Sequence, residues 1–222
     1  DELHQAALLS QRLSRMYAQT VLQLLAEQGL QAADIAAVGC HGQTIRHAPE
    51  LGYSLQIADW SLLAELTGID VVGDFRSRDL AAGGQGAPLV PAFHAALFAH
   101  PEETRVLANI GGISNISVLR PDGPILGFDT GPGNMLMDAW TQSHFQQAYD
   151  ADSRIAQQGK VLPELLQSLL NHPYFRMPAP KSTGRDLFSL SWLNTYLNSL
   201  EAPQDVLRTL LELTAVSLST EI

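Results

Sequence analysis

Along the chain, hydrophobic positions alternate between two spacings, and each predicts its own elements. From residue 3 to residue 29, apolar side chains recur at Leu9, Leu13, Met16, Tyr17, Val21, Leu24 and Leu25, close to helical spacing. The pattern stops at Gly29, a residue suited to closing a helix, so this stretch predicts one long amphipathic helix. Short apolar runs follow at Ile35–Val38, Tyr53–Ile57 and Asp70–Gly73, each bounded by glycine or polar residues and each predicted to be a strand. Between the last two, Asp59 caps a short helix, Trp60 to Leu66, which Gly68 ends. Pro91 to Ala99 is predicted to be helical, with proline near its start.

A second set of runs, Val106–Ile110, Ile116–Arg120 and Ile125–Phe128, predicts three strands in a meander, with Pro121-Asp-Gly-Pro124 reversing the chain between the last two. In a meander the first and third strands run the same way, so their tips fall at one end of the sheet. Met135–Ala148, Pro163–Leu170 and Pro203–Thr220 carry helical stripes, with a polar linker over Tyr149–Gly159. Asn171 to Pro180 is too rich in proline to be regular. A domain boundary is expected near His100–Thr104, a short polar connection between a helix and a strand, which divides the chain into residues 1–103 and 104–222.

The strands end in chemistry. Val106–Ile110 runs into Gly111-Gly-Ile-Ser-Asn115, and Ile125–Phe128 into Asp129-Thr-Gly-Pro-Gly-Asn134. Glycines allow close backbone approach, while Ser, Thr and Asn add small hydrogen-bonding groups. Asp129 is placed at a strand end just before a helix N-terminus, where open N–H groups and the helix dipole attract anions. Three more tips resemble these: Gly39 to Thr44 with His41 and Gln43, Asp74 to Asp79 with Arg76 and Arg78, and the glycine-rich loop Ala81 to Pro88 with Gln85 as its one functional side chain. Open α/β sheets bind ligands at the carboxyl ends of their strands, which favours a site there over a solvated ion-pair cluster. For His41, gripping a ligand and satisfying its own loop are equally good readings. His41 and His47 lie six apart with no third ligand at metal spacing, so no metal site is expected. In Lys181-Ser-Thr-Gly-Arg185-Asp186, Thr183 and Asp186 resemble a capping box, and the two basic residues are also suited to an anion or a sugar.

Composition narrows the partners. The formal charge is −10, from 23 acidic against 13 basic residues, which argues against nucleic acid and anionic membranes because both need a basic footprint. No run approaches the roughly 20 apolar residues of a membrane span. The single cysteine, Cys40, excludes an internal disulfide, fits a reducing compartment, and lies in an apolar context expected to bury it.

Six blocks taken together carry a resemblance. They are Cys-His-Gly-Gln-Thr (40–44), Gly-Asp-Phe-Arg (73–76), Ala-Gly-Gly-Gln-Gly-Ala-Pro-Leu-Val-Pro (82–91), Asn-Ile-Gly-Gly-Ile-Ser-Asn (109–115), Phe-Asp-Thr-Gly-Pro-Gly-Asn (128–134) and Pro-Lys-Ser-Thr-Gly-Arg (180–185). Over essentially its whole length the chain resembles the anhydro-N-acetylmuramic acid kinases. The resemblance implies an α/β fold of two ribonuclease-H-like domains of the sugar-kinase, actin and heat-shock-ATPase superfamily around a cleft. Both domains are expected to be incomplete here, since the family's terminal nucleotide loops have no counterpart, and the second is expected to carry a helical insertion at about 149–200.

The resemblance also implies an activity: conversion of 1,6-anhydro-N-acetylmuramic acid to N-acetylmuramic acid 6-phosphate, with ATP and Mg2+, in cytoplasmic recycling of cell-wall peptidoglycan. Asp129 matches the family's catalytic base. His41, Gln43, Asp74, Arg76, Arg78, Gln85 and Asn134 become candidates for the amino sugar, with Arg76 or Arg78 as partner of its lactyl carboxylate. Asn109, Gly111, Gly112, Ser114, Asn115, Gly131 and Gly133 become candidates for phosphate. A homodimer is expected, with Pro163–Leu200 as the region to pair. The alternatives are a non-catalytic sugar-binding or regulatory fragment, and another kinase of the superfamily acting on a simple hydroxyl or carboxylate acceptor.

Overall fold

A computed structural model describes residues 1–184, 187–198 and 200–222. The fold is mixed α/β with small sheets, and the residues gather into two compact units, Asp1–Ala87 and Pro88–Ile222.

The first unit opens with α1, Glu2–Gln28. Asp1 caps its start by accepting from the Leu3 N–H, and Gly29 closes its end at φ 67°, a left-handed conformation that glycine adopts without strain. The Leu30 N–H returns to the Leu25 carbonyl at 2.9 Å, so the last turn keeps its bonds. Four strands follow: β1 (Val38–Gly39), β2 (Gln43–Ala48), β3 (Tyr53–Ile57) and β4 (Val71–Val72). β1 pairs with β4 in parallel, and β2 with β3 antiparallel. The strand expected over 35–38 begins only at Val38, because residues 32–34 form a single turn closed by reciprocal bonds between Gln31 and Asp34. β2 starts within the tip expected over Gly39 to Thr44 and continues through residues for which the sequence predicts no element. Its partner β3 supplies the bonds that make it a strand, and a local pattern cannot show a partner.

α2 (Trp60–Thr67) starts where expected, with the Asp59 carboxylate accepting from the Leu62 N–H at 2.9 Å. It packs on α1 around Ala18, Cys40 and Leu63, so Cys40 is a buried core residue. Two polar contacts fix the seam. The Asp59 N–H donates to the buried Ser14 hydroxyl at 2.8 Å, and the Trp60 indole N–H donates to the Cys40 carbonyl at 3.0 Å. The indole lies so close to Gly73 that a Cβ there would meet its Nε1 at 2.3 Å. The tip after β4 is partly helical, as α3 (Ser77–Ala81).

The second unit starts with α4 (Pro91–Phe98) and a three-stranded antiparallel sheet, β5 (Arg105–Ile110), β6 (Ile113–Leu119) and β7 (Leu126–Pro132), with β6 in the middle. The expected meander is present. β6 begins three residues earlier than expected and β7 runs four residues further, so both glycine-rich tips are largely drawn into the sheet. α4 lies against this sheet: His94 Nδ1 meets the Ser117 hydroxyl at 2.8 Å, and a Cβ on Gly127 would meet Pro91 Cγ at 2.2 Å.

Helices α5 (Met135–Phe145), α6 (Pro163–Leu170), α7 (Leu190–Asn194) and α8 (Pro203–Ser219) complete the unit. α8 runs through the middle of them. Its buried Val206, Leu207, Leu210 and Leu213 share a core with Leu136, Trp140, Leu165, Leu169, Phe188 and Leu193. Single-turn helices at Ala151–Ser153 and Ala156–Gln158 stand where a polar linker was expected. The Asp150 carboxylate holds them, accepting from the Ile155 and Ala156 N–H groups at 2.9 Å each.

The contrast between Leu207, fully buried, and Leu200, 91% exposed, yields a stability test. Leu207→Ala is expected to cost about 2–5 kcal/mol through lost transfer energy and a residual cavity. Leu200→Ala should cost less than about 0.5 kcal/mol. Chemical denaturation of the two variants checks the difference, and equal midpoints would contradict this core.

Candidate active site

In the second unit, the residues expected to carry the chemistry meet around β7. Asp129 lies inside this strand, three residues before its end, and only 8% of its surface is exposed. The strand-end position expected from the sequence is therefore revised. Register explains the orientation: Asn115 pairs with Asp129, whereas Ser114 pairs with Gly131, so Thr130 is an extra residue and the strand bulges there. Such a bulge bends a strand and re-aims neighbouring side chains. The Thr130 hydroxyl turns back to the Ser114 carbonyl at 3.2 Å.

A buried carboxylate is costly unless donors meet it. Here they come from the segment after the cis Ala179-Pro180 bond. Asp129 Oδ2 accepts from the Ser182 hydroxyl at 3.0 Å and from the Thr183 N–H at 2.9 Å. The Asp129 N–H in turn donates to the Lys181 carbonyl at 2.9 Å. On the other side, the Tyr174 hydroxyl donates to the Asp129 carbonyl at 2.6 Å. Burial, with the charges of Asp129 and Glu221 added, raises the Tyr174 pKa well above its usual range, so this phenol remains a donor.

Lys181 does not offer its charge to an anion, the second of the two readings its sequence allowed. Its side chain is fully buried, and its ammonium pairs with Glu221 at 2.6 Å, 3.5 Å from the Tyr174 carbonyl. The Arg185 and Asp186 parts of that expectation lie outside the described residues.

The two glycine-rich tips interlock. The Gly133 N–H donates to the Gly112 carbonyl at 2.9 Å, the Asn134 N–H to the Gly111 carbonyl at 2.8 Å, and the Met135 N–H to the Gly112 carbonyl at 3.3 Å. These groups open α5, and they were expected to face a ligand. Carbonyls of the β5–β6 turn take them instead, which satisfies donors that a helix start cannot pair internally. A Cβ on Gly133 would meet the Gly111 carbonyl oxygen at 2.1 Å, so only glycine allows this approach. Ser114 is fully buried beside it. Asn109 and Asn115 face each other across the β5–β6 ladder, Gly131 is buried against Phe175 and Ser217, and Asn134 is exposed at the first residue before α5. α8 anchors the assembly through Thr214, whose hydroxyl donates toward the Pro132 and Gly133 carbonyls, 3.0 Å from each.

The first unit gathers a smaller set. Arg76 Nε donates to His41 Nε2 at 3.0 Å, and another of its N–H groups donates to the Gly86 carbonyl. His41 Nδ1 sits 3.0 Å from the Gly42 carbonyl, so the neutral ring donates there and accepts at Nε2. The loop carrying the exposed Gln85 is fixed by Asp79, whose carboxylate accepts from the Gly86 N–H at 2.7 Å. Sequence reasoning missed that role. The structure shows why the loop needs glycine there, because Gly84 leaves no room for a side chain against the Asp79 carboxylate. The other candidates stand apart from this set. Asp74, at φ 51°, accepts from the Ser77 hydroxyl, Gln43 bonds its own neighbour's carbonyl, and Arg78 is exposed on α3. Beside His41, Tyr17, Thr20, Val21 and Leu63 line a hollow of about 490 Å³.

Comparison with known proteins agrees with these blocks. The sequence model for anhydro-N-acetylmuramic acid kinase matches residues 1–222. The chain belongs to that family. A relative named anhydro-N-acetylmuramic acid kinase from Neisseria gonorrhoeae (strain FA 1090) is 67% identical over 215 residues, covering 97% of this chain and 59% of the relative. Those of the same name from Nitrosomonas europaea and Bordetella pertussis are each 56% identical, over 224 and 227 residues, covering all of this chain and 62% and 60% of themselves. The chain thus spans about 60% of the length of these family members. Among the described residues, no helix is long and apolar enough to cross a membrane.

Two measurements test this geometry. Gly133→Ala drives a methyl group into a backbone carbonyl and should cost about 1–3 kcal/mol, whereas Gly111→Ala, whose Cβ would meet nothing nearer than the Ile113 carbonyl oxygen at 3.8 Å among the described residues, should cost clearly less. Equal thermal midpoints for the two would refute the interlock. Burial lowers the His172 pKa below its ordinary 6.5, and its Nδ1 accepts from the Tyr174 N–H at 3.3 Å. Below pH 6.5 the unfolded chain takes up this proton before the folded one, so the contribution present above pH 6.5 is lost as pH falls through and below that value. His172→Gln should flatten that part of the stability–pH curve; an unchanged slope would refute the assignment.

Proposed function

We propose that this chain is part of an ATP-dependent kinase that opens 1,6-anhydro-N-acetylmuramic acid with water and phosphorylates it to N-acetylmuramic acid 6-phosphate. The two units are read as parts of two ribonuclease-H-like domains, and the setting as cytoplasmic recycling of peptidoglycan. Family membership and the named relatives support the substrate. The observation on this chain that carries the reading is Asp129, a buried carboxylate whose Oδ2 accepts from Ser182 and Thr183 next to the interlocked glycine turns.

The reaction needs a base and a phosphate site. Asp129 takes a proton from water as the water oxygen bonds to the anomeric carbon, and the bond from that carbon to the 6-oxygen breaks. The electron pair stays on the 6-oxygen, which bonds to the γ-phosphorus of ATP while ADP leaves, so no separate acid is needed to protonate it. Phosphoryl transfer depends mainly on position and charge stabilisation, which suits the rigid turn built from Asn109, Gly111, Gly112, Ser114, Asn115, Gly131 and Gly133. Because the N–H groups of Gly111, Gly133, Asn134 and Met135 are already paired, the phosphate side draws on the other groups of that turn.

In the first unit the candidates for the sugar are His41, Gln43, Asp74, Arg76, Arg78 and Gln85, and in the second unit Asn134 is a further candidate. The lactyl carboxylate goes to the guanidinium of Arg76 or Arg78, since that group can bind it in bidentate fashion. Among the described residues, no three His, Cys, Asp or Glu side chains converge to hold a metal. Mg2+, brought with the nucleotide, would neutralise phosphate charge.

The test uses this sequence extended to the length of its relatives, with ATP, Mg2+ and the anhydro-sugar in heavy-oxygen water. Label at the anomeric hydroxyl together with a 6-phosphate is expected. Unlabelled phosphorylated sugar would point to a simple kinase, and binding without turnover to a non-catalytic module. Asp129→Asn should lower kcat about 10²–10⁴-fold with sugar affinity nearly intact. Survival of turnover would remove Asp129 from the role of base.

A further inference from the structure

A carboxylate on a strand still turns about its Cβ–Cγ bond, a torsion with a broad, shallow preference. A base that must face one water molecule therefore needs that rotation stopped from outside. Asp129 has such a stop. Two donors, the Ser182 hydroxyl and the Thr183 N–H, converge on the same oxygen, Oδ2, at 3.0 and 2.9 Å. A main-chain bond from the Asp129 N–H to the Lys181 carbonyl keeps the donating segment in register with β7.

The segment is itself locked from behind. Lys181 turns its side chain away from Asp129 into the interior, where its ammonium meets Glu221 at 2.6 Å and lies 5.2 Å from the centre of the Tyr174 ring. Tyr174 closes the circuit by donating to the Asp129 carbonyl. One buried cation thus ties together the segment that supplies the donors, the ring that holds the strand, and the residue just beyond α8.

We propose that Ser182 is a positioning residue for Asp129, and that the pair of buried Lys181 with the partly exposed Glu221 acts through it by fixing the segment on which Ser182 stands. This rests on the reading of Asp129 as the base. The Thr183 N–H already gives Oδ2 one donor, so the Ser182 hydroxyl is not needed merely to satisfy the charge. What it adds is a second direction. Its loss should leave a folded protein that binds sugar normally and turns it over slowly, because misplacing a reacting group by about 1 Å costs on the order of 10²-fold.

The experiment measures kcat and the sugar KM separately, in the protein extended to the length of its relatives. Ser182→Ala should lower kcat about 10–100-fold with KM within about twofold. Ser182→Thr, which keeps the hydroxyl, should recover most of the rate. Ser182→Cys, close in size with a weaker donor, should fall between, and it serves if the alanine variant does not fold. Glu221→Gln should lower kcat as well, and adding it to Ser182→Ala should slow the enzyme no further, since both changes loosen the same carboxylate. Wild-type kcat in Ser182→Ala or Ser182→Cys overturns the proposal, as does a loss confined to KM. Multiplicative losses in the double variant overturn the part given to the ion pair. Asp129→Asn in the same assay separates two failures. If it keeps full turnover, the underlying reading falls; if it is inactive while Ser182→Ala is normal, only this inference falls.

Discussion

A carboxylate withdrawn from water has to be met by donors, and in this chain that requirement at Asp129 shapes much of the second unit. The donors stand 53 and 54 residues further along, at Ser182 and Thr183. Bringing them back takes the whole helical region between. α5 leaves the sheet, α6 and the turn at Pro173–Arg176 return the chain, and the cis Ala179-Pro180 bond precedes the donors themselves. The hydrophobic core around α8 supplies the stability for this excursion, and the Lys181–Glu221 pair fixes its end. Lys181 is fully buried and Glu221 partly exposed, so removing the carboxylate would leave a buried ammonium short of its partner, which costs more than the intact pair contributes.

The sequence made part of this legible. Helix α1 and its glycine stop, the Asp59 cap, strand β3, helix α6 and the order of the meander were all readable, because each depends on residues within a few positions of one another. β2 was not, since its ladder to β3 rather than its own pattern defines it. The strand ends at β6 and β7 were misread for a related reason. Glycine, serine and threonine look like loop residues, yet Ser114, Thr130 and Gly131 belong to a buried sheet whose bulge admits them.

The same distinction holds for the candidate site. Asp129 and the glycine turns were visible as motifs, and so was the Lys-Ser-Thr-Gly block. That one block supplies the donors for the other's carboxylate was not visible, because no spacing rule connects residue 129 to residue 182. Lys181 shows how a local reading goes astray. Beside Ser-Thr-Gly its charge was also compatible with an anion, but its alkyl chain and ammonium turn inward to a residue forty positions away. In the first unit the link between His41 and Arg76, thirty-five positions apart, was equally hidden, although both residues had been singled out.

The interlock of Gly111 and Gly112 with Gly133, Asn134 and Met135 bears on the entropy of recognition. Two loops that moved independently would each have to be ordered when a ligand arrived, and that ordering would subtract from affinity. Here main-chain bonds and a contact too tight for any side chain have already removed that freedom. Any ligand that touched either loop would meet a surface whose shape was settled during folding. Discrimination there would rest on fit, with little scope for the surface to adapt.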